Sequence, residues 1–289
     1  MKATVNVGGA GHGFSDDPED SLMWPHHINI NQAKNKLTIG VPGFDLSGGH
    51  GGHGDGHGKI AIIDPVNGMS IHRIHLRHPN HNAIFSPNGN EIWTTLMDMD
   101  GKVFIFDAIT YGLKDSVAVG EMPTEITFSY DGSMAFVCNS MSNNVTVIDP
   151  LNKIIRATIP VGNNPVGAWT GSNNKMYVDN EMSQTISVID VASITVEETV
   201  NLGFTPGYAA YNQQMNELWV TNITNGAVEY YHRLNNEWHP KGNITTGAGA
   251  HAIVFSDDGL KAYVTNQFGS SVTVINAETR TIITNIELG

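Results

Sequence analysis

A tandem repeat runs through most of the chain. Residues 262–288 read AYVTNQFGSSVTVINAETRTIITNIEL and predict three consecutive strands. Two runs of β-branched and aromatic residues, 262–265 and 271–275, flank a polar turn that contains glycine, and a second turn precedes the run at 281–288. The same pattern begins upstream at Phe136, Tyr177 and Leu218. A unit that recurs at this scale determines the architecture of the whole chain.

One further predicted strand precedes each of these units, as in AIFSPNG from Ala83 and IVFSDDG from Ile253, so the repeat contains four strands. The last apolar residues of these leading strands are Ile30, Phe85, Phe128, Thr170, Tyr211 and Phe255, spaced 55, 43, 42, 41 and 44 residues apart. One such sheet cannot bury both of its faces until neighbours pack against it around a ring. The pattern therefore predicts an all-β fold, a β-propeller of six four-stranded blades.

The composition limits the classes of function. A continuous repeat over 289 residues leaves no linker, so residues 1–289 are expected to form a single propeller domain. The net charge of −13, from 15 basic and 28 acidic residues, argues against binding to nucleic acid. No apolar run approaches the roughly 20 residues that span a bilayer, so membrane insertion is not expected. The lone Cys138 lies in a predicted strand and is expected to be a packed small hydrophobe.

Two segments interrupt the repeat. Residues 1–24 begin with a strand at 4–7 that we expect to add to the last sheet and close the ring, followed by an insertion loop. Residues 42–58, PGFDLSGGHGGHGDGHG, form a Gly/His-rich loop between the second and third strands of blade 1. In an up-and-down blade these two connections lie at the same end. Both insertions are therefore expected on the face at which the innermost strands begin.

Three histidines occupy equivalent positions in different blades. The residue four before each aligned strand end is His26, His81 and His251 in blades 1, 2 and 6, although the chain has only 13 histidines among 289 residues. Since a ring makes these blades consecutive, the three imidazoles are expected to converge at one mouth of the axial channel. The next position in each strand adds His27 and Glu125.

Imidazoles and a carboxylate at one concave site suit copper or zinc, which bind neutral imidazole nitrogen. We therefore predict a transition-metal ion, copper first and zinc second, held by His26, His81 and His251, with His27 and Glu125 as additional metal ligands or as catalytic proton carriers. The alternative is that histidines at strand starts hydrogen-bond to loop carbonyls. The Gly/His-rich loop supplies further candidate ligands or is a solvated loop, and its histidines are His50, His53 and His57.

The segment Tyr263-Val264-Thr265-Asn266, followed by Val272-Thr273-Val274-Ile275, resembles the repeat of the YVTN-type β-propeller proteins. The resemblance covers nearly the whole chain from about Pro25 onward. It implies a propeller, with the seven blades usual in that family as the alternative to six. It also implies a periplasmic or extracellular protein, read here as a mature form without its leader. The family includes surface-layer proteins, periplasmic proteins and many of unknown role, so it does not fix an activity.

Three classes of function follow from these patterns. The first is a metal-binding propeller with a His-rich site at the channel mouth, extending to a metal-dependent redox enzyme; the arrangement is similar to that of copper-containing propeller reductases and dehydrogenases. The second is a scaffold that binds a protein or glycan without chemistry. The third is a metal-assisted lyase or hydrolase. Whether the chain is an enzyme, and whether its partner is a small molecule or a protein, stays open at this stage.

Overall fold

A computed structural model describes residues 24–46 and 56–288. These residues form six four-stranded antiparallel sheets that follow one another along the chain, which confirms the predicted six-bladed β-propeller. Blades 1 to 3 comprise β1 (His26–Ile30), β2 (Leu37–Val41), β3 (Lys59–Ile63), β4 (Ser70–His75), β5 (Ala83–Phe85), β6 (Glu91–Leu96), β7 (Lys102–Asp107), β8 (Leu113–Ala118), β9 (Pro123–Phe128), β10 (Ala135–Asn139), β11 (Asn144–Asp149) and β12 (Ile154–Pro160). Blades 4 to 6 comprise β13 (Pro165–Gly171), β14 (Lys175–Asn180), β15 (Thr185–Asp190), β16 (Thr195–Asn201), β17 (Pro206–Asn212), β18 (Glu217–Asn222), β19 (Ala227–Leu234), β20 (Glu237–Thr245), β21 (Ala250–Phe255), β22 (Lys261–Asn266), β23 (Ser271–Asn276) and β24 (Thr281–Glu287).

The asparagine that closes the second strand of a repeat explains much of the recurring sequence pattern. The Asn180 side-chain amide donates a hydrogen bond to Ser187 Oγ at 3.0 Å, and Asn266 donates to Thr273 Oγ1 at 2.9 Å. These buried bonds tie the end of the second strand to the third strand. Because a buried amide without a partner is costly, the asparagine and the facing hydroxyl recur together.

The core consists of apolar clusters between consecutive blades. Shared clusters join blade 1 to 2, 2 to 3, 3 to 4, 4 to 5 and 5 to 6. Cys138 is fully buried in one of them, and burial raises the pKa of its thiol well above the usual range, as expected of a packed hydrophobe. On the face of blade 1 that is turned away from blade 2, the described residues form a cluster of their own, with no member from blade 6.

The outer strand of blade 6 differs from the other outer strands. Val117, Ile159 and Val200 lie near the ends of β8, β12 and β16 and are each less than 8% exposed. The corresponding Ile286 in β24 is 46% exposed, and every residue of β24 is exposed. The side chains of β24 are therefore not covered by another blade among the described residues. The predicted closing strand at residues 4–7 lies outside the described part of the chain.

Ion pairs on the outer side connect neighbouring blades. Arg280 of blade 6 places Nη2 2.6 Å from the Glu217 carboxylate of blade 5, with its guanidinium 5.2 Å from the Trp219 ring centre. The Trp219 indole N–H also donates to Glu217, at 3.0 Å. Blades 2 and 3 use the same arrangement, since Lys153 Nζ lies 2.7 Å from Glu91 and 5.0 Å from the Trp93 ring centre.

Bulges near the start of the innermost strands shape the channel. Strands β9, β13, β17 and β21 each skip residues in their pairing at this point. In β1, His26 pairs with Gly40 and Ile28 pairs with Ile39, so His27 is the extra residue, and its φ of +49° lies in the left-handed region. A bulge re-aims the side chains beside it, and here those side chains line the axis. Within the described residues, no helix is long and apolar enough to cross a membrane.

Candidate metal centre

Four side chains from three consecutive blades meet near the axis of the ring. His26 and His27 come from β1, His81 from the segment before β5, and Glu125 from β9. One potential ligand atom of each lies within 4.8 Å of those of the other three. Gly40 in β2 makes this approach of blades 1 and 2 feasible, because a Cβ there would lie 2.6 Å from the His81 carbonyl oxygen.

Glu125 is the central residue of this group, because it contacts two of its three histidines. Its Oε1 lies 2.7 Å from His27 Nε2 and 2.7 Å from His81 Nδ1. Its Oε2 accepts a hydrogen bond from the Asn82 side-chain amide at 2.8 Å, and the Asn82 Oδ1 in turn accepts from the Ile126 backbone N–H at 3.2 Å. Asn82 is only 2% exposed. A buried amide that is bonded on both sides therefore fixes the carboxylate with Oε1 facing the imidazoles.

His26 is neutral in this environment. Burial lowers the pKa of His26 well below its usual range, and the neighbouring imidazoles of His27, His81 and His251 lower it further. The ring centres of His27 and His81 each lie 4.3 Å from that of His26, close enough to act on its pKa. A neutral imidazole keeps a nitrogen lone pair available at neutral pH, which is the form that binds a metal ion.

The group fits a transition-metal ion. Zinc forms bonds of about 2.0–2.1 Å to imidazole nitrogen and about 2.0–2.2 Å to carboxylate oxygen in a tetrahedral arrangement, so its ligand atoms lie about 3.3 Å apart. The four donor atoms lie within 4.8 Å of one another, a spacing of the order that a shared ion requires. Three imidazoles with one carboxylate are also the donor types that these borderline ions prefer.

The other predicted ligands are placed differently. The His251 ring centre lies 5.8 Å from that of His26, beside the four-residue group but not within it. His57 is exposed on the segment that leads into β3 and does not belong to the group. His50 and His53 lie outside the described residues.

Two chambers flank the group along the axis. A chamber of about 550 Å³ contains His26 and His251, together with Trp24 and Leu46 from the described ends of the two insertions. Those ends thus lie on one face, as the blade topology predicts. The opposite chamber, of about 730 Å³, is lined by all six blades, has His27 and Glu125 in its wall, and extends to the turns that follow the innermost strands. The turns of this second face are short and regular, so nothing in the sequence indicated a site there.

An aromatic pair lies beside His27 in the wall of the larger chamber. The rings of Trp169 and Tyr208 are stacked with centres 3.5 Å apart, and Trp169 lies 5.8 Å from the His27 ring. The Trp169 indole N–H donates to Asp179 Oδ1 at 2.6 Å. The indole folds back over Gly167, where a Cβ would lie 2.1 Å from the ring. Burial raises the pKa values of Tyr208 and Asp179 well above their usual ranges, so both groups are neutral.

The sequence pattern did not predict Asn82, Trp169 and Tyr208 as site residues. A signal was present for two of them, because Asn82 and Tyr208 occupy the same position in their repeats as His27 and Glu125. The signal was weak for Trp169, which lies two residues beyond that position and reaches the site only because Gly167 leaves room.

Fold and site together define a β-propeller whose channel carries a His/Glu group that could hold a metal ion. No family model matches the chain, and no curated protein matches its sequence. Among solved structures, hydrazine synthase from Kuenenia stuttgartiensis is similar with a TM-score of 0.73 and 17% identity, covering 97% of this chain and 90% of that one.

Two further solved structures are similar. A periplasmic gluconolactonase from Pseudomonas aeruginosa has a TM-score of 0.73 and 16% identity, covering 92% of this chain and 86% of that one. A protein of unknown function from Desulfotomaculum acetoxidans has a TM-score of 0.72 and 11% identity, with the same coverage of 92% and 86%. At these identities the likeness establishes the propeller fold, and the YVTN family assignment stays a resemblance.

Proposed function

We propose that the protein is a metalloprotein that holds one transition-metal ion, copper before zinc, within its axial channel. The observation that carries this proposal is the convergence of His26, His27, His81 and Glu125 at the junction of three blades. Copper is placed first because divalent copper binds nitrogen and oxygen donors more tightly than zinc does. When bound, such an ion supplies either electron transfer or polarisation of a bound oxygen atom.

The residues facing the larger chamber are the candidates for chemistry. Of the four-residue group, His27 and Glu125 line this chamber, so a small molecule bound there meets these two side chains. We assign proton transfer to Glu125, which Asn82 holds in a fixed orientation, and we assign substrate contact to His27. His251, adjacent to His26 on the other side, is assigned as a neighbour that tunes the ligand set.

Hydrolysis is the second candidate activity. The size and polar character of the larger chamber favour a small-molecule substrate over a plain scaffold, and one similar structure is a gluconolactonase described as periplasmic. That likeness and the YVTN resemblance also support a periplasmic or extracellular location as a proposal. A scaffold that binds protein or glycan without chemistry predicts no retained metal.

Metal retention tests the proposal. Untagged protein is incubated with copper or zinc salts, dialysed against a weak chelator and analysed by mass spectrometry for metal content. We expect stoichiometric metal in the wild type and its loss in the double variant His26→Ala/His81→Ala. The matched control is His75→Ala/His239→Ala, which removes one exposed and one partly exposed histidine from the outer strands β4 and β20. Metal retained by the first double variant would overturn the assignment. Electron paramagnetic resonance of the copper form then reports whether nitrogen ligands are present.

A further inference from the structure

The larger chamber is electrostatically unsuited to anions. Among the described residues that line it, there is no lysine or arginine, whereas Glu125 lies in its wall and Asp257 and Asp258 lie at its rim. The pKa of Asp258 is lowered by hydrogen bonds from the Ser256 hydroxyl and the Leu260 backbone N–H, so this carboxylate is ionised at neutral pH. The net charge of −13 adds to the same field. In the metal-free protein a phosphate or carboxylate ligand would therefore be repelled.

The remaining polar groups of the chamber are amides and hydroxyls. Amide and hydroxyl groups both donate and accept hydrogen bonds, which is what a ligand rich in hydroxyl groups requires. They come from several blades, so a ligand on the axis meets them from different directions, and they include Asn29, Thr127, Ser172, Gln213 and Gln214.

Tyr208 offers a flat apolar surface next to these groups. One face of the Tyr208 ring is stacked on Trp169, whose indole is held by its hydrogen bond to Asp179. This contact fixes the position of the Tyr208 ring. Tyr208 is only partly buried and lies 6.4 Å from the His27 ring, between ring centres. A rigid aromatic surface of this kind binds the apolar face of a ring compound at little cost in conformational entropy.

From these observations we propose that the larger chamber binds an uncharged, hydroxyl-rich ring compound, of the size of a monosaccharide, with Tyr208 as the specificity-determining residue. The proposal rests on the proposed function in that it places the substrate beside His27 and Glu125. The proposal requires that the charge of the ligand, the ring shape of the ligand and the Tyr208 surface each affect the affinity of the chamber for the ligand.

Three matched probes separate these requirements: D-glucose as the neutral ring, D-glucuronate as the same ring with a carboxylate, and sorbitol as the open-chain counterpart. Binding to metal-free protein is measured by saturation-transfer NMR titration. We expect D-glucose to bind about 10-fold more tightly than either of the other probes, corresponding to a modest electrostatic or stacking difference. The difference in affinity between D-glucose and D-glucuronate should decrease at high salt, because salt screens the negative electrostatic field of the chamber.

Variants at Tyr208 test the stacking surface. Tyr208→Ala should weaken D-glucose binding about 10-fold, whereas Tyr208→Phe should keep it within about 3-fold, since the ring face is retained. Alanine at this position is compatible with the fold, because Ala252 occupies the equivalent position in blade 6. Tyr263→Ala, outside the chamber, is the control and should change nothing.

The outcomes distinguish this inference from the proposed metal site. Tighter binding of D-glucuronate than of D-glucose, unchanged affinity in Tyr208→Ala, or no binding of D-glucose would each overturn the inference. Metal retention is measured separately, on a sample of the same protein that is reloaded with copper or zinc and dialysed against the weak chelator. Retained metal without D-glucose binding leaves the metal proposal standing, whereas D-glucose binding to a protein that retains no metal contradicts the metal proposal alone.

Discussion

Asp179 shows how a single residue departs from its repeat. At the equivalent position of blades 2 and 5, Thr95 and Thr221 donate their hydroxyl protons to backbone carbonyls of the next blade, and Thr221 bonds to the His251 carbonyl at 2.6 Å. Asp179 uses Oδ1 to accept from Trp169, while its Oδ2 accepts no hydrogen bond from the described residues. Burial, assisted by the nearby charge of Glu181, raises the pKa of this carboxyl well above its usual range. The side chain is therefore held in the protonated form.

This protonation makes the stability of the fold depend on pH. A carboxyl group whose pKa is higher in the folded than in the unfolded state contributes stability below its unfolded pKa, and that contribution is lost as pH rises toward the folded pKa. We expect Asp179→Asn, which keeps the acceptor for Trp169, to become more stable than the wild type as pH rises from 4. The difference should grow by at most about 1.4 kcal/mol per pH unit, the limit for one proton.

Urea unfolding of both metal-free proteins between pH 4 and pH 8 measures this difference. The matched control is Asp115→Asn, an exposed carboxyl on β8, which should follow the wild-type profile. Parallel profiles for Asp179→Asn and the wild type would show that Asp179 carries no tightly held proton in the fold.

For the individual strands, the sequence is sufficient to predict their order along the chain. It is not sufficient to predict how each strand pairs with its neighbour. The spacing of the aligned strand ends located every innermost strand and placed His26, His81 and Glu125 near one another along the axis. Simple alternation, however, predicts that His26 and His27 point to opposite faces. Both reach the group because the bulge in β1 puts His27 in a left-handed conformation. Alternating apolar residues do not reveal such a bulge.

A substitution at Gly167 tests whether the bulge in β13 also positions the stacked pair of Trp169 and Tyr208. An alanine Cβ at this position would overlap the Trp169 ring, so Gly167→Ala should displace the indole from Asp179 and destabilise the fold by about 2 kcal/mol, within the range for overpacked sites. Gly112→Ala is the control, because its Cβ would meet nothing nearer than Thr110 Oγ1 at 3.7 Å. Tryptophan fluorescence reports the displacement, and urea unfolding reports the stability. Equal stability of the two variants would contradict the close contact at Gly167.

At the scale of the molecule, six similar blades do not have equivalent surroundings. The sequence of β24 carries the apolar pattern of the other outer strands, yet Ile286 is exposed where Ile159 is buried. The sequence also did not indicate which face carries the larger chamber, because that chamber is enclosed by ordinary short turns from all six blades. Both features depend on how sheets are arranged around the ring, and the repeat pattern is nearly the same in every sheet.

Blade 6 should therefore depend strongly on its contacts with blade 5. Arg280 pairs with Glu217, which is 2% exposed, and its guanidinium lies 4.8 Å from the Tyr230 ring centre. We expect Arg280→Met to cost about 2 kcal/mol, because Glu217 keeps Lys241 as a partner but loses its shorter ion pair. The amides of β24 should then exchange with deuterium faster, while those of β12 stay unchanged.

The control Lys102→Met removes an exposed pair with Asp100 and should cost less than about 0.5 kcal/mol. If β24 and β12 were accelerated equally, the pair would stabilise the ring as a whole and not the attachment of blade 6.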